Sequence, residues 1–171
     1  KGQNKKDINQ RPARFYMLAR GHGSNPRCTT LRALDPLLEK YESEYHYLFS
    51  CVHRAANATG EAALEQNYGL PNVARRLLEM FLAFRRPQIA GELWQKLKDV
   101  TFDEPKKVRI ARFAHAHSHG DTVGEPEHDP SLLGEARAVM ADLLELIKSE
   151  DPQHFAAMVD LVNGLAAAMD S

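Results

Sequence analysis

Three histidines stand at alternate positions in RIARFAHAHSHGD, Arg109–Asp121: His115, His117 and His119 follow Arg109 and Arg112 and run into Gly-Asp. Imidazole moves protons near neutral pH and is a common metal ligand, while arginine neutralises phosphate charge. Three chemistries fit these types. As metal ligands, His-x-His-x-His-x-Asp would converge only on a strand, where alternate side chains share a face. On a helix, positions i and i+2 diverge by about 200° and cannot meet on one ion. As a metal-free acid/base centre, Val108, Arg112, His115 and His119 share a helical face through steps of four, three and four, and His117 points elsewhere. Arg112 and His119 then lie two turns, about 10.5 Å, apart, a gap that a guanidinium and a phosphodiester together can span. The third chemistry is none: a polar helix surface with a histidine near the terminal carbonyls.

A second set lies in PNVARRLLEMFLAF, where Arg75 and Glu79 stand four residues apart beside Arg76. On an exposed face this is an ion pair worth a few tenths of a kcal/mol. If the face turns toward the histidines, Arg75 becomes a phosphate contact and Glu79 an orienting or proton-handling carboxylate. Spacing alone leaves both open. Glu44 and His46 in YESEYHYLFS diverge in the same i,i+2 way, which favours packing over metal binding.

The surrounding pattern is helical. Leu34, Leu37, Leu38, Tyr41, Tyr45, Leu48, Phe49 and Val52 recur at helical spacing behind Asp35-Pro36 and predict a helix over 36–54. Pro71 opens and Pro87 closes a second helix with a core stripe of Val73, Leu77, Phe81 and Phe84. A shorter amphipathic piece spans Ile89 to Leu97, and Glu104-Pro105 begins the histidine helix, which Gly120 ends. Asp129-Pro130 opens a fourth long helix and Asp151-Pro152 the last. RFYMLARG, Arg14–Gly21, is the one strand expected, without an evident partner. The expected fold is mainly α, a bundle of five to six helices with one short N-terminal strand.

With 171 residues, 43% hydrophobic and 26% charged, the chain has the composition of a globular domain, and it holds no apolar run near the ~20 residues of a membrane span. Cys28 and Cys51 lack metal or redox spacing and point, without a signal-like N-terminus, to free thiols in the cytoplasm. Charge is uneven. Residues 71–121 carry ten Lys/Arg against six Asp/Glu, and residues 122–171 two against ten, so anionic ligands favour the middle. No GxxxxGK[ST] phosphate loop occurs. The polar start KGQNKKDINQ, without Met, is expected to continue from a longer protein.

RFYMLAR, YESEYHYLFS, YGLPNVARRLLEMFLAFRRP and RIARFAHAHSHGD, in that order, resemble the C-terminal half of the large P-loop ATPases that include the anticodon nucleases, the wobble-nucleotide-excising tRNases of phage defence. The resemblance covers roughly Arg14 to Leu146. It implies that residues 1–27 end an upstream ABC-type ATPase head and that 28–171 form a helical ribonuclease domain of the HEPN kind, metal-independent and commonly paired. Arg75 and Glu79, with a histidine 36 to 40 residues later, match the family's Arg-x3-Glu and distant His. Arg112 and His119 match the HEPN Arg-x4-6-His. Phe113 departs from the polar residue usual after that arginine, and His115 stands where many relatives have Asn.

The implied activity is ATP-regulated cleavage of RNA, most of all tRNA, in phage defence. His119 would be the general acid or base, Arg112 and Arg75 the phosphate contacts, Glu79 the carboxylate, and His115 and Arg76 supporting groups. No cofactor or metal is implied in this chain, and ATP with magnesium belongs to the upstream head. Implied partners are RNA, a second copy in a homodimer or higher oligomer, and a partner protein of the defence system. The competing expectation is a non-catalytic helical module that couples the ATPase to a separate nuclease or toxin.

Overall fold

A computed structural model of the chain describes residues 16–20, 29–34, 40–41, 43–60, 67–115 and 131–169. The chain divides into two compact units, Lys1–Glu42 and Ser43–Ser171.

In the first unit, β1 (Tyr16–Arg20) pairs antiparallel with β2 (Thr29–Ala33), with Tyr16 opposite Ala33 and Leu18 opposite Leu31. The expected strand therefore has a partner. TTLRA supplies two β-branched residues followed by a brief alternation, a signal too short to stand out beside the proline-led run that follows.

The second unit is the helical bundle. Helix α1 spans Glu44–Ala56, and the Ser43 hydroxyl accepts the His46 amide N–H at 3.1 Å at its start. The described helix thus begins at this cap, eight residues past Pro36 of the expected 36–54 span, and residues 35–39 lie outside the described ones. Helix α2 spans Leu70–Arg85 with Pro71 in its first turn, where a missing amide N–H costs nothing. Helix α3 (Leu93–Lys98) is short, and α4 (Glu104–His115) starts where Asp103 Oδ1 accepts the Lys106 amide N–H at 3.0 Å.

The fourth long helix of the expectation is two pieces. A single turn, α5 (Ser131–Gly134), is offset at Gly134-Glu135 from α6 (Ala136–Glu150). Helix α7 (Pro152–Met169) follows directly, its start capped by Asp151 Oδ1 accepting the His154 amide N–H at 2.9 Å. The result is mainly helical: five long helices and two single-turn ones among the described residues.

Helix α6 is the centre, lying against α1, α2, α4 and α7. It buries Val139, Met140, Leu143, Leu146 and Ile147 against Phe49 and Val52 of α1, Leu77 and Leu78 of α2, and Ile110 and Phe113 of α4. Each such side chain contributes about 1.5–3 kcal/mol of burial, so this layer dominates the bundle's stability. One expected core residue is not there: Phe84 is 83% exposed. It sits on the edge of the α2 stripe, in the last turn, where the bundle ends. There Arg85 and Arg86 instead reach Asp151 and Glu150 at 3.2 and 2.7 Å.

Candidate active site

On α2, at about 100° per residue, Ala74, Leu77, Leu78 and Phe81 face the core. Arg75 and Glu79 fall together on one flank, about 40° apart, and Arg76 lies further round, about 60° past Glu79 and farther from the core. The structure uses these positions differently. Arg75 Nε donates to Glu79 Oε1 at 2.8 Å, with the two side chains 35% and 42% exposed. Arg76 turns to α1 and pairs with Glu44.

Helix α4 divides its labour in the same way. Ile110, Phe113 and Ala114 face the core. Arg109 and His115, six residues apart, lie about 120° apart around the axis, on opposite flanks. Arg109 Nε donates to Asp142 Oδ2 of α6 at 2.8 Å, and Lys106 Nζ stands 2.6 Å from Glu145 Oε2 and 3.8 Å from Asp142 Oδ1. The Glu145 and Asp142 carboxylates hold the exposed Lys106 ammonium above the usual lysine range, the Glu145 hydrogen bond most of all. This flank is an anchor, so Arg109 is spent on structure. The other flank carries half-buried His115, and between His115 and Arg109, on the solvent side, Val108 and Arg112 are exposed.

His115 and the Arg75–Glu79 pair line one pocket of about 320 Å³, together with Gly91, Glu92, Leu93 and Lys96. Three elements build it. Helix α2 brings Arg75 and Glu79, the Gly91-Glu92 turn and α3 form one wall, and the last residue of α4 forms another. Gly91 takes a φ of +117°, a left-handed backbone that side-chain-bearing residues rarely adopt, and so lets the chain turn into α3. Leu93 and Leu97 bury into the core and fix the rotation of α3 that presents Lys96.

Of the residues expected to act, Arg75, Glu79 and His115 are therefore brought together, 36 residues separating the last two. Arg112 is exposed on α4 and does not line the pocket, and Arg76 faces α1. His117 and His119 lie outside the described residues. Lys96 and Glu92 were not singled out by sequence reasoning. Their only signal is the polar flank of the short piece before Leu97, where they stand four residues apart. Among the described residues, no three His, Cys, Asp or Glu side chains group as metal ligands would, and no helix is long and apolar enough to cross a membrane.

A family model described as AAA domain matches residues 1–145, which takes in both strands and every residue of the pocket. This chain belongs to the AAA domain family. No curated protein and no solved structure matches it. Membership of an AAA domain family raises the question of nucleotide binding. The residues present do not fit it: no glycine of the chain stands in a GxxxxGK[ST] loop, and the pocket has one glycine, Gly91, rather than a run of backbone amides to cradle phosphates. What the pocket does bring together is a carboxylate, an imidazole, a guanidinium and an ammonium.

Proposed function

We propose that the pocket is the active site of a metal-independent endoribonuclease, the effector part of an ATP-regulated phage-defence protein that acts on tRNA in the cytoplasm. The observation that carries this reading is the meeting of Arg75, Glu79 and His115 in one cleft, from helices far apart in sequence. Their types match the resemblance to anticodon nucleases, and none of them needs the others for the core.

In the reaction, the His115 imidazole takes the proton of a ribose 2′-hydroxyl, and that oxygen attacks the adjacent phosphorus. The phosphorus–5′-oxygen bond breaks, and the departing oxygen takes a proton, for which His119 is the candidate donor. The products are a 2′,3′-cyclic phosphate and a 5′-hydroxyl. Arg75 stabilises charge growing on the phosphate oxygens, and Glu79, bonded to Arg75 Nε, fixes the guanidinium in place. Arg112, on the outer face of α4, contacts flanking phosphates. Nucleotide hydrolysis falls to an ATPase head outside this chain, and two copies pair as the resemblance implies.

The test is incubation with total tRNA in EDTA, with fragment ends mapped. Fragments with cyclic-phosphate ends from the wild type, lost in His115→Ala and in Glu79→Gln while circular dichroism is unchanged, support the reading. Cleavage that survives His115→Ala refutes the assigned base. No cleavage, also with the ATPase-bearing full-length protein and ATP, leaves the coupling module as the function.

A further inference from the structure

Lys96 is the cation of the pocket that neither spacing nor resemblance points to. Its place is fixed from both sides. Leu93 and Leu97 anchor α3 in the core, and Arg86 bridges Asp99 at the helix end to Glu150 of α6, each at 2.7 Å. Several other cations of α2, α3 and α4 are committed. Arg75 is bonded to Glu79, Lys98 Nζ lies 5.3 Å from the Trp94 ring centroid, and Lys106 pairs with Glu145. Lys107 Nζ is held between Glu104 at 2.7 Å and the Val100 carbonyl at 3.0 Å. Among the described residues the Lys96 ammonium makes no ion pair or hydrogen bond, although Glu92 stands four residues before it on the same helix flank. A half-buried ammonium held at a pocket wall and uncommitted to any carboxylate is an attractive point for an anion.

We infer that Lys96 is the phosphate-holding cation of this pocket and takes a phosphodiester group of single-stranded RNA opposite His115, so that Arg75 keeps its bond to Glu79 while the substrate binds. The inference rests on the reading of the pocket as an RNA site. It divides the work: Lys96 holds the ground-state phosphate, and Arg75 answers the charge that develops later.

The experiment is titration of a fluorescein-labelled 2′-O-methyl RNA oligonucleotide, which lacks the attacking hydroxyl and is not cut, followed by anisotropy between 50 and 200 mM KCl. Lys96→Gln should weaken binding by roughly tenfold at low salt and lower the slope of log K against log salt by about 0.7, the share of one single-strand phosphate contact. Lys96→Arg should restore both. His115→Ala should fail to cleave tRNA. Unchanged affinity and slope in Lys96→Gln overturn the inference even where His115-dependent cleavage is found. A Lys96-dependent slope without any cleavage leaves the phosphate contact standing and removes the ribonuclease chemistry. Absence of salt-dependent binding in the wild type overturns both.

Discussion

The anchor on α4 gives a prediction with an asymmetry. Asp142 is 8% exposed, and Arg109, 40% exposed, supplies its closest hydrogen bonds. Arg109→Met leaves the carboxylate in the bundle with only Lys106 Nζ, 3.8 Å away, to answer it. Breaking a fully buried pair by removing one partner costs about 3–5 kcal/mol. Lys106 remains and the site is open on one side, so the expected loss is about 2 kcal/mol, or roughly 6 °C in Tm for a unit of this size. Asp142→Leu should cost less, about 1 kcal/mol or below. The arginine it strands can turn its exposed guanidinium to water, whereas a stranded Asp142 cannot. The double variant Arg109→Met/Asp142→Leu should lie within about 1 kcal/mol of wild type, since an ion pair is replaceable by apolar side chains of similar volume. Urea and thermal unfolding followed by far-UV circular dichroism measure all three. Arg109→Met no more costly than Asp142→Leu would refute the account of Asp142 as a carboxylate that depends on its partner. The same anchor positions His115, so Arg109→Met should also reduce tRNA cleavage without touching the pocket.

Two further outcomes follow from local geometry. Partial burial beside the Phe49 ring one turn earlier on the same helix, its centroid 6.2 Å away, lowers the His53 pKa below its ordinary value of 6.5. The unfolded chain therefore protonates first as pH falls through about 6.5, and stability declines from there until the folded pKa is passed. Above that window His53 contributes no pH dependence, and the difference between wild type and His53→Gln in urea midpoint, measured from pH 8 to 5, should appear only below about 6.5. Gly91→Ala forces a Cβ into a φ of +117° and against the Gln95 side-chain amide oxygen. The side chain of Gln95 can move, but the backbone conformation costs about 1–3 kcal/mol, so Tm should fall and RNA binding weaken. Retained binding and an unchanged Tm would show that the pocket wall does not depend on this turn.

Much of the bundle is legible because its signals are local. Pro71 in the first turn of α2, Glu104-Pro105 at the start of α4 and Asp151-Pro152 at the start of α7 are backbone constraints carried by single residues, and the structure places helix starts at or beside each. The break at Gly134 is not of that kind. Leu132, Leu133, Ala136, Val139 and Met140 keep a helical period straight through it, and the period is what a sequence displays. Phe84 shows the complementary limit. Its spacing from Leu77 and Phe81 is that of a core position, yet whether a core exists at that level depends on where the neighbouring helices stop.

The site divides along the same line. Arg75 and Glu79 could be paired by counting, because i,i+4 proximity is a property of one helix, and the structure forms that bond. That they meet His115 depends on which flank of α4 turns toward α2, and the decision is made elsewhere, by Asp142 drawing Arg109 to the opposite flank. A buried carboxylate on α6 thus orients a histidine it never touches. Sequence spacing grouped Arg112, His115 and His119 as one face, and for a free helix that is correct. In the bundle, however, the face spans a pocket edge and open solvent, so the residues that share it need not share a role. His115 borders the cleft, whereas Arg112 projects outward into solvent.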